Sequence, residues 1–597
     1  MIRDILQQIR NEVENWLLSQ SVVSPDVVLE RAASPEFGEF SINSAMRYAK
    51  KLGRNPLEFA DELASFLQDK AIDGLGRVES VKPGFVNFYL SSVAKRQHVE
   101  DIIEVGSAFG SNKLHQGEKW VVEHTSPNPN KAMHIGHLRI NLIGMGIVRL
   151  MKASGAEVVS DGLYNDRGIS IAKVMYGYLA HSKKDSEIPT DVTYWSKHKD
   201  QWFTPAEKEM KPDHFVSECY VWGEKDFSSD HEIEKTVRKM VVDWESNHEE
   251  TWQLWKLVLQ YAYEGNERVL RRLGSHWDKI WYEHEHYQGG KQYVEEGLNK
   301  GVFKRLEDGA VITKLEDKYG LTDTVVLKND GTSLYLTQDI ALTDLKKKTY
   351  GADKLIWVVG PEQTLHMKQL FSVCEQLGIG KVSDFTHVSY GNVGLKSAEG
   401  RVAKMSSRDG TVILADNVID EVKGTIINRF LKEGRGENSS SGDLAEKLAL
   451  TAVKFGFLKM DKMQNIAFDV EQSVDVHGDS GLYVMYSYVR TQSILRKAGA
   501  YGAGQTAANS ESGAEAQLLR SLLYYESVVV KSVEELSVHH IAQYLLELSS
   551  EFNAWYAKET ILDGSEAQGF KLALVEAVGI IIQNGLNLLG IETVDEM

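Results

Sequence analysis

The sequence predicts a multidomain α/β protein: a doubly wound parallel-sheet domain, preceded by a small α+β module and followed by an all-helical domain. Three observations predict it. Trp120–Gly155 reads as strand, loop and long helix, with another strand directly behind. Further buried-strand runs at Leu355–Val359 and Phe385–Tyr390 are separated by helical spacing over Leu365–Leu377, as a parallel sheet requires. From Leu444 onward the pattern is helical. The boundaries drawn from these patterns are 1–108, 109–435 with an insertion at about 182–270, and 443–597, with a Gly- and Ser-rich linker over Gly434–Gly442.

Composition narrows the function. At 597 residues, 42% hydrophobic and 25% charged, the chain fits a soluble protein of several domains. Two cysteines, Cys219 and Cys374, exclude a disulfide framework and a Cys-rich zinc site, and fit a reducing cytoplasm. Met1–Leu18 is an amphipathic, charged helix and no signal peptide. No uninterrupted apolar run approaches membrane length, so no membrane partner is expected. A net charge of −18 argues against a non-specific nucleic-acid coat, while leaving room for an RNA bound through a local basic or aromatic surface.

In the first module a strand-like piece starts at Pro35–Phe40. Helices follow around Ala45–Lys51 and Pro56–Leu67, and Val81–Leu90 alternates like one strand. The second domain opens with the strand Trp120-Val121-Val122 and the loop Ser126-Pro127-Asn128-Pro129-Asn130, whose prolines and asparagines favour turns. After Lys131-Ala132-Met133, His134-Ile135-Gly136-His137 starts a helix with Leu138, Leu142, Met145 and Met151 near helical spacing. Gly155 stops it. His134 and His137 share a face where free backbone N–H groups and the helix dipole favour an anion. Imidazoles there can bond a phosphate without a permanent charge, and Gly136 lets a ligand approach the backbone. A zinc pair fits poorly, since no cysteine lies nearby. No P-loop sequence occurs anywhere.

Tyr164-Asn165-Asp166-Arg167-Gly168 is a polar turn opening another helix, where Asn-Asp-x-Gly reads first as a cap. The stretch 182–229 is polar and reads as inserted chain. Glu232–Leu270 is helical, with Trp244, Trp252, Trp255 and Tyr261 as core. Asp278-Lys279-Ile280-Trp281-Tyr282-Glu283 follows, and Glu283 by itself reads no differently from a solvated glutamate. Thr324–Leu327 is a strand, Asn329-Asp330-Gly331 a turn, and Ser333–Ala341 leads into a helix with Tyr335 and Asp339 one turn apart. Val402–Gly410 is a glycine-flanked loop with two cations, Lys404 and Arg408. In the last domain Tyr483–Arg496 mixes Tyr486, Tyr488, Arg490 and Arg496, a set suited to stacking on unpaired bases. Ala498–Ala516 is a small-residue loop, and His539–Tyr556 and Phe570–Leu589 are helices.

Ser126-Pro127-Asn128, Lys131 and His134-Ile135-Gly136-His137-Leu138-Arg139 resemble the first signature of class I aminoacyl-tRNA synthetases, specifically that of arginyl-tRNA synthetases. Lys404-Met405-Ser406-Ser407 resembles the second signature, Lys-Met-Ser-Lys, with Ser407 in place of the second lysine. Lys131 and Arg408 are the two candidates for the missing charge. The resemblance spans essentially the whole chain. It implies a Rossmann-like catalytic domain, an N-terminal domain touching tRNA and an α-helical anticodon-binding domain. It also implies ATP-dependent ligation of arginine to tRNA(Arg), a monomer, and magnesium arriving with ATP without a dedicated protein site. On it, His134, Gly136, His137, Met405, Ser406 and Ser407 bind ATP, with Lys131 and Lys404 on the phosphates. Ser126 and Asn128 hold the backbone end of arginine, and Glu283, Tyr335, Asp339 and Gln363 its side chain. A guanidinium suits planar carboxylate partners, and Glu283 with Asp339 supplies two. Tyr486, Arg490, Tyr556 and Met597 are the tRNA-binding candidates.

Overall fold

The central domain is built on β1 (Lys119–Glu123), α1 (Ile135–Ala153), β2 (Glu157–Tyr164), α2 (Ile169–His181), β3 (Lys279–Tyr282), α3 (Tyr335–Tyr350), β4 (Lys354–Val358), α4 (Thr364–Leu377) and β5 (Phe385–Val388). The computed structural model describes residues 2–330, 335–396, 412–432, 439–501 and 513–597. The five strands are ordered β5-β4-β1-β2-β3, and every pair is parallel. The chain therefore winds one way from β1 through β2 to β3 and the other way from β4 to β5. Between β1 and β4 the winding reverses, and a crevice opens beyond their carboxyl ends.

Alternation along β1 sorts its side chains between two cores. Trp120 and Val122 join Ile356, Val358, the buried face of α1 and the C-terminal helices. Val121 turns the other way, to Leu355 and Trp357 of β4, Ile340 of α3 and Leu370 of α4. A third core belongs to the insertion. α1 lies unusually close to the chain leaving β1: a Cβ on Gly144 would come within 2.3 Å of the His124 side chain, so only glycine permits the approach.

The N-terminal module is a four-stranded sheet covered by helices Ile2–Ser19 and Pro56–Asp69. Pro35–Phe37 is a 3-10 turn, not the start of a strand, because a proline in the first turn favours helical geometry; pairing begins at Phe40. The run Val81–Leu90 is also not one strand. Leu75–Val81 and Phe85–Leu90 pair antiparallel across Lys82-Pro83-Gly84, where Gly84 has φ +143. The module's core is continuous with that of the C-terminal helices. Among the bonds across the junction, Tyr524 Oη donates to Glu39 O at 2.5 Å, His98 Nε2 meets Leu522 O at 3.2 Å, and Arg31 pairs with Glu547.

The polar stretch 182–229 contains helices Val192–Lys197 and Pro212–Ser229. The second buries Phe215, Val216 and Cys219 against α2, so the polarity of that segment describes its outer face. Glu232–Leu270 is two helices, His231–Glu245 and Glu249–Arg272, and Trp244 and Trp255 are buried as expected. Towards the C-terminus a helix already runs from Ser439, inside the stretch read as linker. The domain is not purely helical: Ile466–Phe468 pairs parallel with Val393–Leu395. Helix Gln568–Leu588 is long and apolar enough to cross a membrane by length and composition, but 78% of its apolar window is buried inside the protein. That is the pattern of a core helix.

Candidate active site

The β1 strand delivers its chain to the crevice through a strained turn. Thr125 has φ +52, a left-handed conformation that a β-branched residue adopts only when its surroundings enforce it. Here Asn141 of α1 donates to Thr125 Oγ1 at 3.3 Å, and His124 Nδ1 lies 2.8 Å from the same hydroxyl. The strain aims Ser126 and Asn128 into a cleft of about 700 Å³.

All six residues expected around arginine line this one cleft: Ser126 and Asn128 after β1, Glu283 after β3, Tyr335 and Asp339 in the opening turns of α3, and Gln363 after β4. They come from four separate segments. Tyr335 is 76% exposed and stands at the rim. Asn165 Nδ2 donates to Asn128 Oδ1 at 3.2 Å and ties the second turn to the first.

Beneath the cleft lies an ion cluster that the sequence reading missed. Lys346, fully buried, places Nζ 2.7 Å from Glu123 Oε2 and 2.8 Å from Asp161 Oδ2. Burial alone pushes this ammonium down, but the two carboxylates outweigh it and hold it above its ordinary value. Trp281 Nε1 also donates to Asp161 Oδ2, at 2.8 Å. Glu123 Oε1 accepts from Ser126 Oγ at 3.2 Å, and that hydroxyl accepts from Leu163 N at 3.0 Å. The position of Ser126 is thus set by a buried charge network. One signal was available: Lys346 falls two turns after Asp339 on α3, and Glu123 ends a parallel strand where ligands gather.

Glu283 is only 7% exposed, and burial pushes its carboxyl up to about 7. Arg167 pulls it down, while Asp166 and Asp339 push it further up. Asp339 meets His366 Nε2 at 2.6 Å. Asp166 is not a helix cap. Its carboxylate accepts from His284 N and from Tyr263 Oη, each at 3.0 Å, and faces His284 Nδ1 at 2.6 Å, while α2 starts without a side-chain cap. The carboxylate is drawn inward, pinning the 164–168 turn to the segment that carries Glu283.

Lys131, His134, Gly136 and His137 do not line this cleft; they form the amino end of α1, reached along the Ser126–Asn130 loop. His134 Nδ1 accepts from Gly136 N at 3.2 Å, and His137 Nδ1 accepts from His134 N at 3.2 Å. With both Nδ1 atoms accepting, each ring carries its proton on Nε2 and is neutral. The rings stack with centroids 3.8 Å apart. Burial, reinforced by Lys131, pushes His134 down to about 4; burial, His134 and Lys131 push His137 well below its usual value. Burial also lowers Lys131. The pair is therefore a neutral donor set at a helix amino end, as expected of a phosphate site. Arg139, one turn on, is buried and donates to the carbonyls of Lys462 at 2.9 Å and Gln464 at 2.7 Å. Lys404, Met405, Ser406, Ser407 and Arg408 lie outside the described residues. The chain that follows runs beside the histidines: Ile135 N donates to Ile413 O, and Ala415 N to Met133 O, both at 2.9 Å.

Far from the cleft, three of the four residues expected to meet tRNA come together. The Arg490 guanidinium sits 4.7 Å from the Tyr486 ring centre and 4.9 Å from that of Tyr556. Its Nη2 donates to Tyr486 Oη at 2.9 Å, and Nη1 bonds Asn553. Tyr486 and Tyr556 are both exposed, whereas Tyr488 is buried. Met597 packs against the main apolar core. Among the described residues no group of three or more His, Cys, Asp or Glu is arranged to hold a metal ion.

Comparison with known proteins gives consistent matches along the chain. A family model described as the catalytic domain of class I (R) tRNA synthetases matches residues 98–470. A model of the arginyl tRNA synthetase N terminal domain matches 2–90, and one of the DALR anticodon binding domain matches 484–597. The arginine–tRNA ligase of Bacteroides fragilis is 31% identical over 608 residues, covering 97% of this chain and 97% of that relative. That of Treponema denticola is 31% identical over 617 residues, covering 100% and 98%. In three dimensions the arginyl-tRNA synthetase of Thermus thermophilus aligns over 100% of both chains with a TM-score of 0.82 at 21% identity, a likeness of fold.

Proposed function

The chain belongs to the class I arginyl-tRNA synthetases and is an arginine–tRNA ligase, and from that premise we propose how its residues divide the reaction. ATP rests against the amino end of α1. His134 and His137 donate from Nε2, the backbone at Gly136 allows close approach, and Lys131 and Lys404 meet the phosphates with Met405, Ser406 and Ser407. Ser126 and Asn128 hold the backbone end of arginine, while Glu283, Tyr335, Asp339 and Gln363 take its guanidinium.

The arginine carboxylate attacks the α-phosphorus and pyrophosphate leaves, giving arginyl-adenylate. The terminal ribose hydroxyl of tRNA(Arg) then displaces AMP. No side chain serves as a covalent nucleophile; orientation and electrostatic stabilisation supply the acceleration. The donors around the histidines are nitrogen groups, so magnesium belongs to the ATP phosphates and not to a carboxylate cage. The N-terminal module and the Tyr486–Arg490–Tyr556 stack, with Met597, contact tRNA. Action in the cytoplasm as a monomer is part of the same proposal; both cysteines are buried free thiols, which suits a reducing compartment.

One observation carries the reading: two carboxylates and four polar partners from four chain segments converge on one cleft at the switch point of the sheet. The test is pyrophosphate exchange with purified tRNA(Arg) present, comparing arginine with lysine. Exchange with arginine alone is expected. Equal exchange with lysine would overturn the guanidinium assignment.

A further inference from the structure

We propose that Arg167 is a positioning residue for Glu283, favouring its ionised form and keeping it aimed into the cleft for the substrate guanidinium. The inference rests on the arginine-slot reading above and deepens it. Arg167 Nη1 lies 3.7 Å from Glu283 Oε1. That is an ion pair without a close hydrogen bond, so the oxygens of Glu283 remain free to accept from a ligand. On its other side Arg167 is fixed. Nη2 meets Glu245 Oε1 at 2.6 Å, and the guanidinium lies 4.0 Å from the centre of the Tyr287 ring and 5.5 Å from that of Trp244. Glu245 and Trp244 close the helix His231–Glu245 of the insertion. The insertion thereby reaches Glu283 through Arg167, beside the bonds that Tyr263 and Trp255 donate to Asp166.

The need for such a residue follows from charge. Glu283 shares its surroundings with two other carboxylates, Asp166 on the turn and Asp339 on α3, and both disfavour its ionised form, as burial does. On its own segment His284 is committed to Asp166, and His286 and Glu285 follow. Of the other basic groups lining the cleft, Lys346 is committed to Glu123 and Asp161, His366 faces Asp339, and Lys328 follows the strand Val325–Leu327. Arg167 is the cation that draws the Glu283 carboxyl down, so it favours the ionised acceptor against burial, Asp166 and Asp339. A protonated Glu283 would present an O–H where a guanidinium needs a lone pair.

The alternative is that Arg167 imitates the substrate and competes for Glu283. The two ideas predict opposite signs. The experiment follows kcat/KM for arginine, with tRNA(Arg) present, from pH 6 to 9 in the full-length wild type and in Arg167→Leu, Arg167→Gln, Arg167→Lys and Glu283→Gln. This ratio reports the ionisation of the free enzyme. In Arg167→Leu the fall toward acid should begin about one pH unit higher, with KM near pH 7 raised roughly tenfold and kcat within about twofold. Arg167→Lys should restore most of the shift, because a charge and not a fold is missing. Arg167→Gln, which keeps a polar side chain of similar length without the charge, gives the same readout if Arg167→Leu does not fold. A lower KM, a profile that superimposes on wild type, or a loss equal at every pH would overturn the inference. A raised KM in Glu283→Gln beside a normal Arg167→Leu overturns this inference alone. An unchanged KM in Glu283→Gln overturns the arginine slot, and this inference with it.

Discussion

His366 Nε2 and Asp339 Oδ2 stand 2.6 Å apart, joining α4 to α3 across the cleft. The contact fixes the carboxylate from one side, and the proposed guanidinium contact would fall on its other oxygen. Replacing Asp339 by Asn keeps the shape and removes the charge. Charge-assisted hydrogen bonds contribute about 1.5–3 kcal/mol, so the arginine KM should rise roughly ten- to hundredfold. His366→Ala should raise it by less, since the carboxylate stays in place. Steady-state aminoacylation with varied arginine measures both; a normal KM in Asp339→Asn would remove Asp339 from the slot.

Lys346 is a buried cation between two buried carboxylates, and removing it leaves Glu123 and Asp161 facing each other without compensation. Lys346→Met should cost about 3–5 kcal/mol in urea unfolding. Adding Asp161→Asn and Glu123→Gln should recover part of that loss. A change below about 1 kcal/mol in Lys346→Met would mean that the cluster is not closed to water.

Buried histidines make stability depend on acid, His98 and His124 adding to the His134–His137 pair. Burial pushes His98 down to about 4 and His124 to about 3. Unfolding frees both to protonate near their ordinary value of about 6.5. Between that value and their folded values the unfolded chain binds more protons, so stability falls as pH falls. The slope should approach about 1.4 kcal/mol per pH unit for each ring, from pH 6.5 toward 4. Urea midpoints across that window test it, and His98→Gln should flatten the curve.

The Tyr486–Arg490–Tyr556 stack has two exposed rings and is preformed, and the proposed function gives it an unpaired base to stack on. Arg490→Ala should raise the KM for tRNA about tenfold and leave the arginine KM unchanged. Arg490→Lys should not rescue it, because a lysine lacks the planar face that two rings enclose. Equal effects on both substrates would point to a fold defect.

Much of the fold was legible because it is written in local pattern. The apolar runs at Trp120–Val122 and Leu355–Val359 became β1 and β4, and the cylinder after His134 became α1, ending where Gly155 takes φ +86. Errors fell where one pattern serves two structures. Val81–Leu90 alternates through a turn as it would along a strand, and the polar 182–229 segment hides a buried face. Ile466–Phe468 is too short to announce itself, and only its pairing with Val393–Leu395 makes it a strand.

The site divides in the same way. The histidine motif, the loop before it and the Tyr335–Asp339 spacing are short-range features, so residue order alone identified them, and with them the family resemblance. The partners of those residues lie far away in sequence. Arg167 meets Glu245 and Glu283, Lys346 meets Glu123 and Asp161, and His366 meets Asp339 only once the sheet brings its carboxyl ends together. Charge state follows the same rule, since burial and opposing charges set it and neither exists in an extended chain. Chain order could nominate Glu283 as an acid; the packing of five parallel strands decided how readily it gives up its proton.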